Sequence, residues 1–97
     1  MSVEEEGLTD LFEAMTKLES REEIKKFMID LCTPQELKAL KERWNVCQLI
    51  DAGQLSYREI GQKLGVSTTT VTRVARFLRD EPYLGYSTLL SKLKGEK

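Results

Sequence analysis

Apolar residues recur along this chain at helical spacing, with little of the alternation that marks strands. Leu8, Leu11, Phe12, Met15 and Leu18 form one stripe and predict a first helix. Ile24, Phe27, Met28 and Leu31 repeat the pattern in a second, opened by Ser20 with Glu23 three residues on, the pairing of a capping box. Thr33-Pro34-Gln35-Glu36 opens a third helix with a cap, a proline at the first helical position and a glutamate at the third. That helix runs to about Ala52 and stops at Gly53. Leu37, Leu40, Trp44, Val46, Cys47, Leu49 and Ile50 spread over more than a single stripe of it, so it needs cover on several sides. Pro82 to Tyr86 reads as a connector, and Ser87 to Lys94 as a short last helix with Leu89, Leu90 and Leu93 inward, followed by a frayed Gly95-Glu96-Lys97. Helices one to three carry more apolar surface than a small helical module uses for itself, which predicts a homodimer. The alternative is a compact monomer with the wide helix at its centre.

The sharpest pattern lies in residues 56–79. Ser56 and Glu59 form a capping box, starting a short helix at about Tyr57 whose inner face is Ile60 and Leu64. Gly61 lies between them, where a side chain would obstruct a second helix. Gly65 is free to take positive φ and end the helix sharply. Val66 plugs the corner, Ser67 caps the next helix, and Val71, Val74, Ala75 and Leu78 face back inward. Helix, short glycine-containing turn, helix is the helix-turn-helix of DNA readers. A hairpin inside a generic bundle is the alternative, but it would not need all of these features together.

With a turn of about 100° per residue, Ser67, Thr68, Thr69, Thr72, Arg73 and Arg76 are left facing a groove. Threonine hydroxyls can donate or accept at base edges and their methyls can touch thymine methyls. Their short reach predicts modest direct readout, completed by water or DNA shape. Arg73 and Arg76 can read guanine or hold phosphate; Arg58, Lys63 and Arg79 are placed as phosphate clamps. For any single arginine the alternative is a solvated surface.

Composition narrows the function classes. At 97 residues the chain has room for one ordinary domain. It has no histidine, the commonest general base and metal ligand. No nucleophile stands at a telling distance from a base, so no enzyme is expected. Cys32 and Cys47 are too far apart for a C-x-x-C metal pair and too few for a disulfide scaffold, so no metal is expected. The longest uncharged run, Pro82 to Ser91, has ten residues, about half a membrane span. The opening Met1-Ser-Val-Glu-Glu-Glu is acidic where a secretion signal is basic, so the expected place is the cytoplasm, at the nucleoid. A formal net charge of −1 hides a strong asymmetry: −6 over residues 1–23 and +4 over residues 56–79. The basic block sets up phosphate attraction; two ordinary solvated helix faces are the alternative.

The words Leu31-Cys-Thr-Pro-Gln-Glu, Ala39-Leu40, Arg43, Leu55-Ser56, Arg58-Glu59, Leu64-Gly65 and Thr70-Val71-Thr72-Arg73 resemble the Trp repressor superfamily, above all its YerC/YecD-like branch. The likeness covers about residues 30–80. It implies an all-α fold of about six helices, an intertwined homodimer with two reading heads, and repression at an operator in double-stranded DNA. Residues 1–97 would form a single domain, with a dimerisation core over 1–53, the helix-turn-helix over 56–79, and a C-terminal helix and tail over 83–97. Two-fold symmetry would set the reading helices about 34 Å apart. Arg58, Thr70, Thr72 and Arg73 match the family's DNA face; Gly61 and Thr68-Thr69 depart from it, so the operator sequence does not carry over.

The resemblance also implies a corepressor pocket for L-tryptophan at Thr33, Arg43, Cys47, Arg73, Val74 and Phe77, and this chain departs from it. Val74 stands where the family has a glycine that leaves room for the indole, and Phe77 where it has a serine that meets the ligand amino group. Cys47 replaces a valine. Added volume in a tight site costs about 1–3 kcal/mol even where neighbours adjust. Phe77 is therefore expected to fill the indole slot itself, leaving a vestigial pocket, no cofactor and DNA binding without tryptophan. A repressor gated by another small molecule, and an interaction module that keeps the hairpin without reading DNA, are the competing readings; the sequence names no effector.

Overall fold

The computed structural model describes residues 6–95, so Glu4 and Glu5 of the acidic block, and Glu96 and Lys97 of the tail, lie outside the described residues. Within them the fold is all-α, six helices without a strand: α1 Glu6–Met15, α2 Arg21–Leu31, α3 Pro34–Ala52, α4 Tyr57–Leu64, α5 Thr68–Arg79 and α6 Gly85–Leu93. They fall into two compact units, residues 1–37 and 38–97, with α3 running through the boundary.

The first unit is local order with little burial. α1 stops at Met15, short of Leu18. The Thr16, Lys17 and Leu18 amides each reach back three residues, to Glu13, Ala14 and Met15, and this tightened turn ends the helix. Ser20 caps α2 by accepting from the Glu23 amide at 3.1 Å. The Glu23 carboxylate reaches the Glu19 N–H at 2.8 Å, one residue before the position a standard capping box uses. Thr33 and Glu36 complete a reciprocal box at the start of α3, at 3.1 and 2.8 Å. No described residue of this unit is buried. Phe12, Ile24, Ile29 and Leu31 keep about half their surface in water.

The second unit holds the core: Val46, Cys47 and Ile50 from α3, Ile60 from α4, Val71, Val74 and Ala75 from α5, and Leu90 from α6. Trp44, Leu64, Val66 and Leu78 pack against it, half-buried. α3 ends at Gly53 with φ +71°, where its amide bonds the Leu49 and Ile50 carbonyls. Lys94 pairs with Asp51 at 2.6 Å, fixing the end of α6 to the last turn of α3.

The last helix differs from its expected form. α6 begins at Gly85, because Leu84 takes a left-handed conformation (φ 62°, ψ 18°) and turns the chain into the helix two residues early. Its inward stripe is the i, i+4 pair Tyr86 and Leu90. Leu89 and Leu93 lie on another stripe and are exposed in this chain, a correction to their expected inward positions.

Candidate nucleic-acid interface

Local chemistry sets the corner of the helix-turn-helix. The Ser56 hydroxyl accepts from the Glu59 amide at 3.1 Å and the Glu59 carboxylate accepts from the Ser56 amide at 2.8 Å. This backbone hydrogen bond, with the Ser56 hydroxyl adding to it, holds the Glu59 carboxyl below its ordinary 4.5. At the other end Gly65 adopts φ +68°, and the Val66 amide donates to the Gly61 carbonyl at 3.0 Å. A Cβ on Gly61 would sit 3.0 Å from the Val66 carbonyl oxygen, so the turn folds back over the space a larger residue would fill.

α5 then presents its first turns to solvent. Ser67 caps it, accepting from the Thr70 amide at 3.1 Å. The Thr70 hydroxyl lies 3.1 Å from the Ser67 hydroxyl and is half-buried, so Thr70 is engaged in the cap. Thr68, Thr69 and Thr72 are exposed, and none of their hydroxyls bonds another described residue. With Arg73 and Arg76 they line one shallow depression. Arg58, Gly61, Gln62, Gly65, Val66 and Thr68 line a second, and Thr68 belongs to both. One side of α4, the turn and the face of α5 from Thr68 to Arg76 thus form a strip carrying hydroxyls and cations.

The basic residues divide. Arg58 and Lys63 are exposed and make no ion pair among the described residues; Lys63 lies outside both depressions. Arg76 meets Glu81 at 3.5 Å with more than half its side chain in water. Arg79 is exposed and donates one guanidinium N–H to the Ile50 carbonyl at 3.4 Å, which ties it to the end of α3.

Behind the strip lies a cavity of about 270 Å³ lined by Arg73, Val74, Phe77, Tyr83, Gly85 and Tyr86. The Phe77 ring stacks on Tyr83, with centroids 6.2 Å apart and planes 18° off parallel. The Arg73 guanidinium carbon lies 4.4 Å from the Phe77 centroid and that of Arg76 5.0 Å. Of the residues the resemblance assigns to a pocket, Arg73, Val74 and Phe77 line this cavity. Cys47 is in the core and Arg43 is half-buried on α3, while the Thr33 hydroxyl caps α3 in the first unit. Burial pushes the Cys47 thiol up to about 11, with the Asp51 carboxylate adding to the effect.

Sequence reasoning missed the rings of Tyr83 and Tyr86 on this cavity, and of the two Tyr86 is the half-buried one. Burial raises its phenol, an ionised Cys47 would raise it further, and the fields of Arg43 and Arg73 oppose both. Tyr86 thus lies within the fields of both arginines. Its only signal in sequence was an aromatic beside Gly85. Cys32 and Cys47 are free thiols, and no group of three or more metal-ligating residues gathers among the described residues. No helix of these residues is long and apolar enough to cross a membrane.

The Trp repressor protein family model matches residues 6–94, covering all six helices. The chain belongs to the Trp repressor family. The protein YerC of Bacillus subtilis (strain 168) is 37% identical over 71 residues, covering 73% of this chain and 67% of YerC. The Trp operon repressor homolog of Aliivibrio salmonicida (strain LFI1238) is 45% identical over 49 residues, 50% of this chain and 45% of that protein. The matched stretch thus spans between about half and two thirds of these relatives. A TrpR like protein from Eubacterium eligens ATCC 27750 superposes with a TM-score of 0.85 at 28% identity, covering 98% of this chain and 96% of that one. These matches make the chain a TrpR-like protein of the YerC branch.

Proposed function

We propose that this Trp repressor family member is a sequence-specific DNA-binding transcriptional regulator, a repressor working as a homodimer in the cytoplasm. It docks residues 67–76 in the major groove. One observation carries the reading: Thr68, Thr69 and Thr72 stand exposed with unengaged hydroxyls on the same strip as Arg58, Arg73 and Arg76. A helix interior gains nothing in stability from three threonines, so base-edge chemistry is what they offer. The likeness to a Trp operon repressor homolog supports repression. The uncovered Phe12, Ile24, Ile29 and Leu31 support a second copy as cover.

The test is selection of bound fragments from genomic DNA, followed by salt titration on a selected fragment. With six to ten phosphates contacted, affinity falls by about 10³–10⁵ between 50 and 200 mM salt. Thr69→Ala shifts sequence preference more than nonspecific affinity, whereas Arg58→Ala weakens all DNA alike and flattens the salt slope. Absence of any selected fragment, or a Thr69→Ala effect equal on all sequences, defeats the reading.

The regulator is further proposed to act without L-tryptophan, because Val74 and Phe77 occupy the wall of the cavity. Calorimetric titration should show no micromolar binding. The 270 Å³ beside Arg73 favours one second reading, a repressor gated by a different small molecule. A metabolite extract that changes the affinity of the purified protein for its fragment would establish it.

A further inference from the structure

Arg73 is the one residue that lines both the threonine depression and the cavity behind it. Whatever orders Arg73 therefore acts on the DNA-facing strip. What touches it on the cavity side is the Phe77 ring, one helical turn later, with the guanidinium carbon 4.4 Å from the centroid. The same ring also carries Arg76 at 5.0 Å, and both lie inside the cation–π range of about 6 Å. Tyr83 backs the ring nearly parallel, and Glu81 holds Arg76 from another side.

Resting on the DNA-binding reading, we propose that Phe77 is a positioning residue for DNA recognition: a resident aromatic platform that holds the Arg73 and Arg76 guanidiniums ready for the duplex. A free arginine loses much rotamer freedom when a phosphate or base fixes it. A side chain already ordered in the unbound protein loses less, and the difference appears as affinity. For Arg73 the face of the ring supplies this ordering without neutralising charge; Arg76 also meets the Glu81 carboxylate, which competes with phosphate, so the ring matters most for Arg73. Phe77 is half-buried and stands outside the core cluster, whose share of this turn is taken by Val74 and Ala75, with Leu78 packed against it. An apolar residue of similar bulk can therefore keep the fold while removing the π-face.

The experiment compares the full chain with Phe77→Leu and Phe77→Trp on one selected DNA fragment and on nonspecific DNA, together with salt slopes and melting temperatures. Phe77→Leu is expected to lower affinity for the selected fragment about three- to tenfold, as loss of one or two exposed cation–π contacts would. Its salt slope should stay unchanged, because the same phosphates are still met, and its melting temperature should stay close to the parent's. Phe77→Trp, with a stronger π-face, should restore parental affinity. Equal affinity of Phe77→Leu and the parent overturns the inference, as does a Phe77→Trp variant as weak as Phe77→Leu. Binding lost only in step with a collapsed melting temperature also overturns it, by assigning Phe77 to the core. If the parent itself selects no DNA, the DNA-binding reading fails and takes this inference with it. If the parent binds and the leucine variant matches it, only the inference fails.

Discussion

Residues 38–97 close a core of eight apolar side chains, while the described residues of 1–37 bury none. Both halves are helical and both carry side-chain caps, Ser20 and Thr33 in one and Ser56 and Ser67 in the other, so capping is not what separates them. The difference is in what the apolar faces meet. α4, α5 and the inner part of α3 turn theirs on one another. α1 and α2 leave Phe12, Ile24, Ile29 and Leu31 about half in water. Helices this short owe most of their stability to packing on an amphipathic face. The proposed reading head is thus self-sufficient in closing a core, although Leu89 and Leu93 of α6 also stay exposed, and the amino-terminal helices keep open the apolar faces that the proposed second copy would cover.

The largest expected effect tests the self-sufficient half. Ile60 is fully buried at the centre of the core. Ile60→Ala should cost about 2–5 kcal/mol, read from the denaturant midpoint, and the loss should not depend on protein concentration. A cost under 1 kcal/mol would show that the core can collapse around the gap and would blur the contrast between the halves.

Phe12→Ser tests the other half. If Phe12 is covered only by a second copy, each chain loses about 1.5–3 kcal/mol of burial on association and none within itself. Dissociation should then rise at least about tenfold, seen by light scattering on dilution, with the melting temperature becoming more dependent on concentration. A Phe12→Ser protein that is destabilised equally at every concentration would mean that the residue works inside its own chain, and the comparison would break.

How far the sequence could be read follows the same division. Ser56 with Glu59, Thr33 with Glu36, and Gly65 each act within a few residues, so spacing alone exposed them. The inward set Ile60, Val71, Val74 and Ala75 followed from helical period because the two helices are short and tightly joined. Longer-range or atypical features were not legible. Arg79 reads as a free surface cation, yet its partner is a carbonyl 29 positions away. Three leucines near the carboxyl end fit more than one stripe, so periodicity could not choose Leu90 over Leu89 and Leu93. Leu84 takes a backbone conformation that sequence assigns to glycine, with Gly85 alongside as the natural candidate.

That misplaced start supplies a smaller test within the self-sufficient half. Leu84 has φ 62° and is 57% exposed, so its side chain returns little for the strain. The left-handed conformation costs a residue with a Cβ about 1–2 kcal/mol, while glycine gives back about 0.5–1 kcal/mol in unfolded-state entropy. Leu84→Gly should therefore stabilise the protein by about 0.5–1 kcal/mol, seen as a small rise in melting temperature. A fall in its place would mean that Leu84 is covered in the assembled protein, which would extend the need for outside cover to the α5–α6 connector.

The smallest expected effect lies at the amino end of α4. The Glu59 carboxyl is held below its ordinary 4.5, chiefly by the Ser56 backbone N–H. For a carboxyl whose folded pKa lies below its unfolded one, the stabilisation is complete above the unfolded value. It is lost as pH falls from there through the folded value. Glu59→Gln keeps an acceptor for the Ser56 amide but carries no charge, so it isolates the ionic part of the cap. The parent should be slightly more stable than Glu59→Gln at neutral pH, with a constant gap down to about pH 4.5, and the gap should close below that. Because the helix meets solvent here, the gap should also shrink with added salt. A gap that persists unchanged into strong acid would assign the difference to the shape of the cap and not to its charge. The amino end of α4 would then rest on hydrogen-bond geometry alone, with no ionic part for acid to remove.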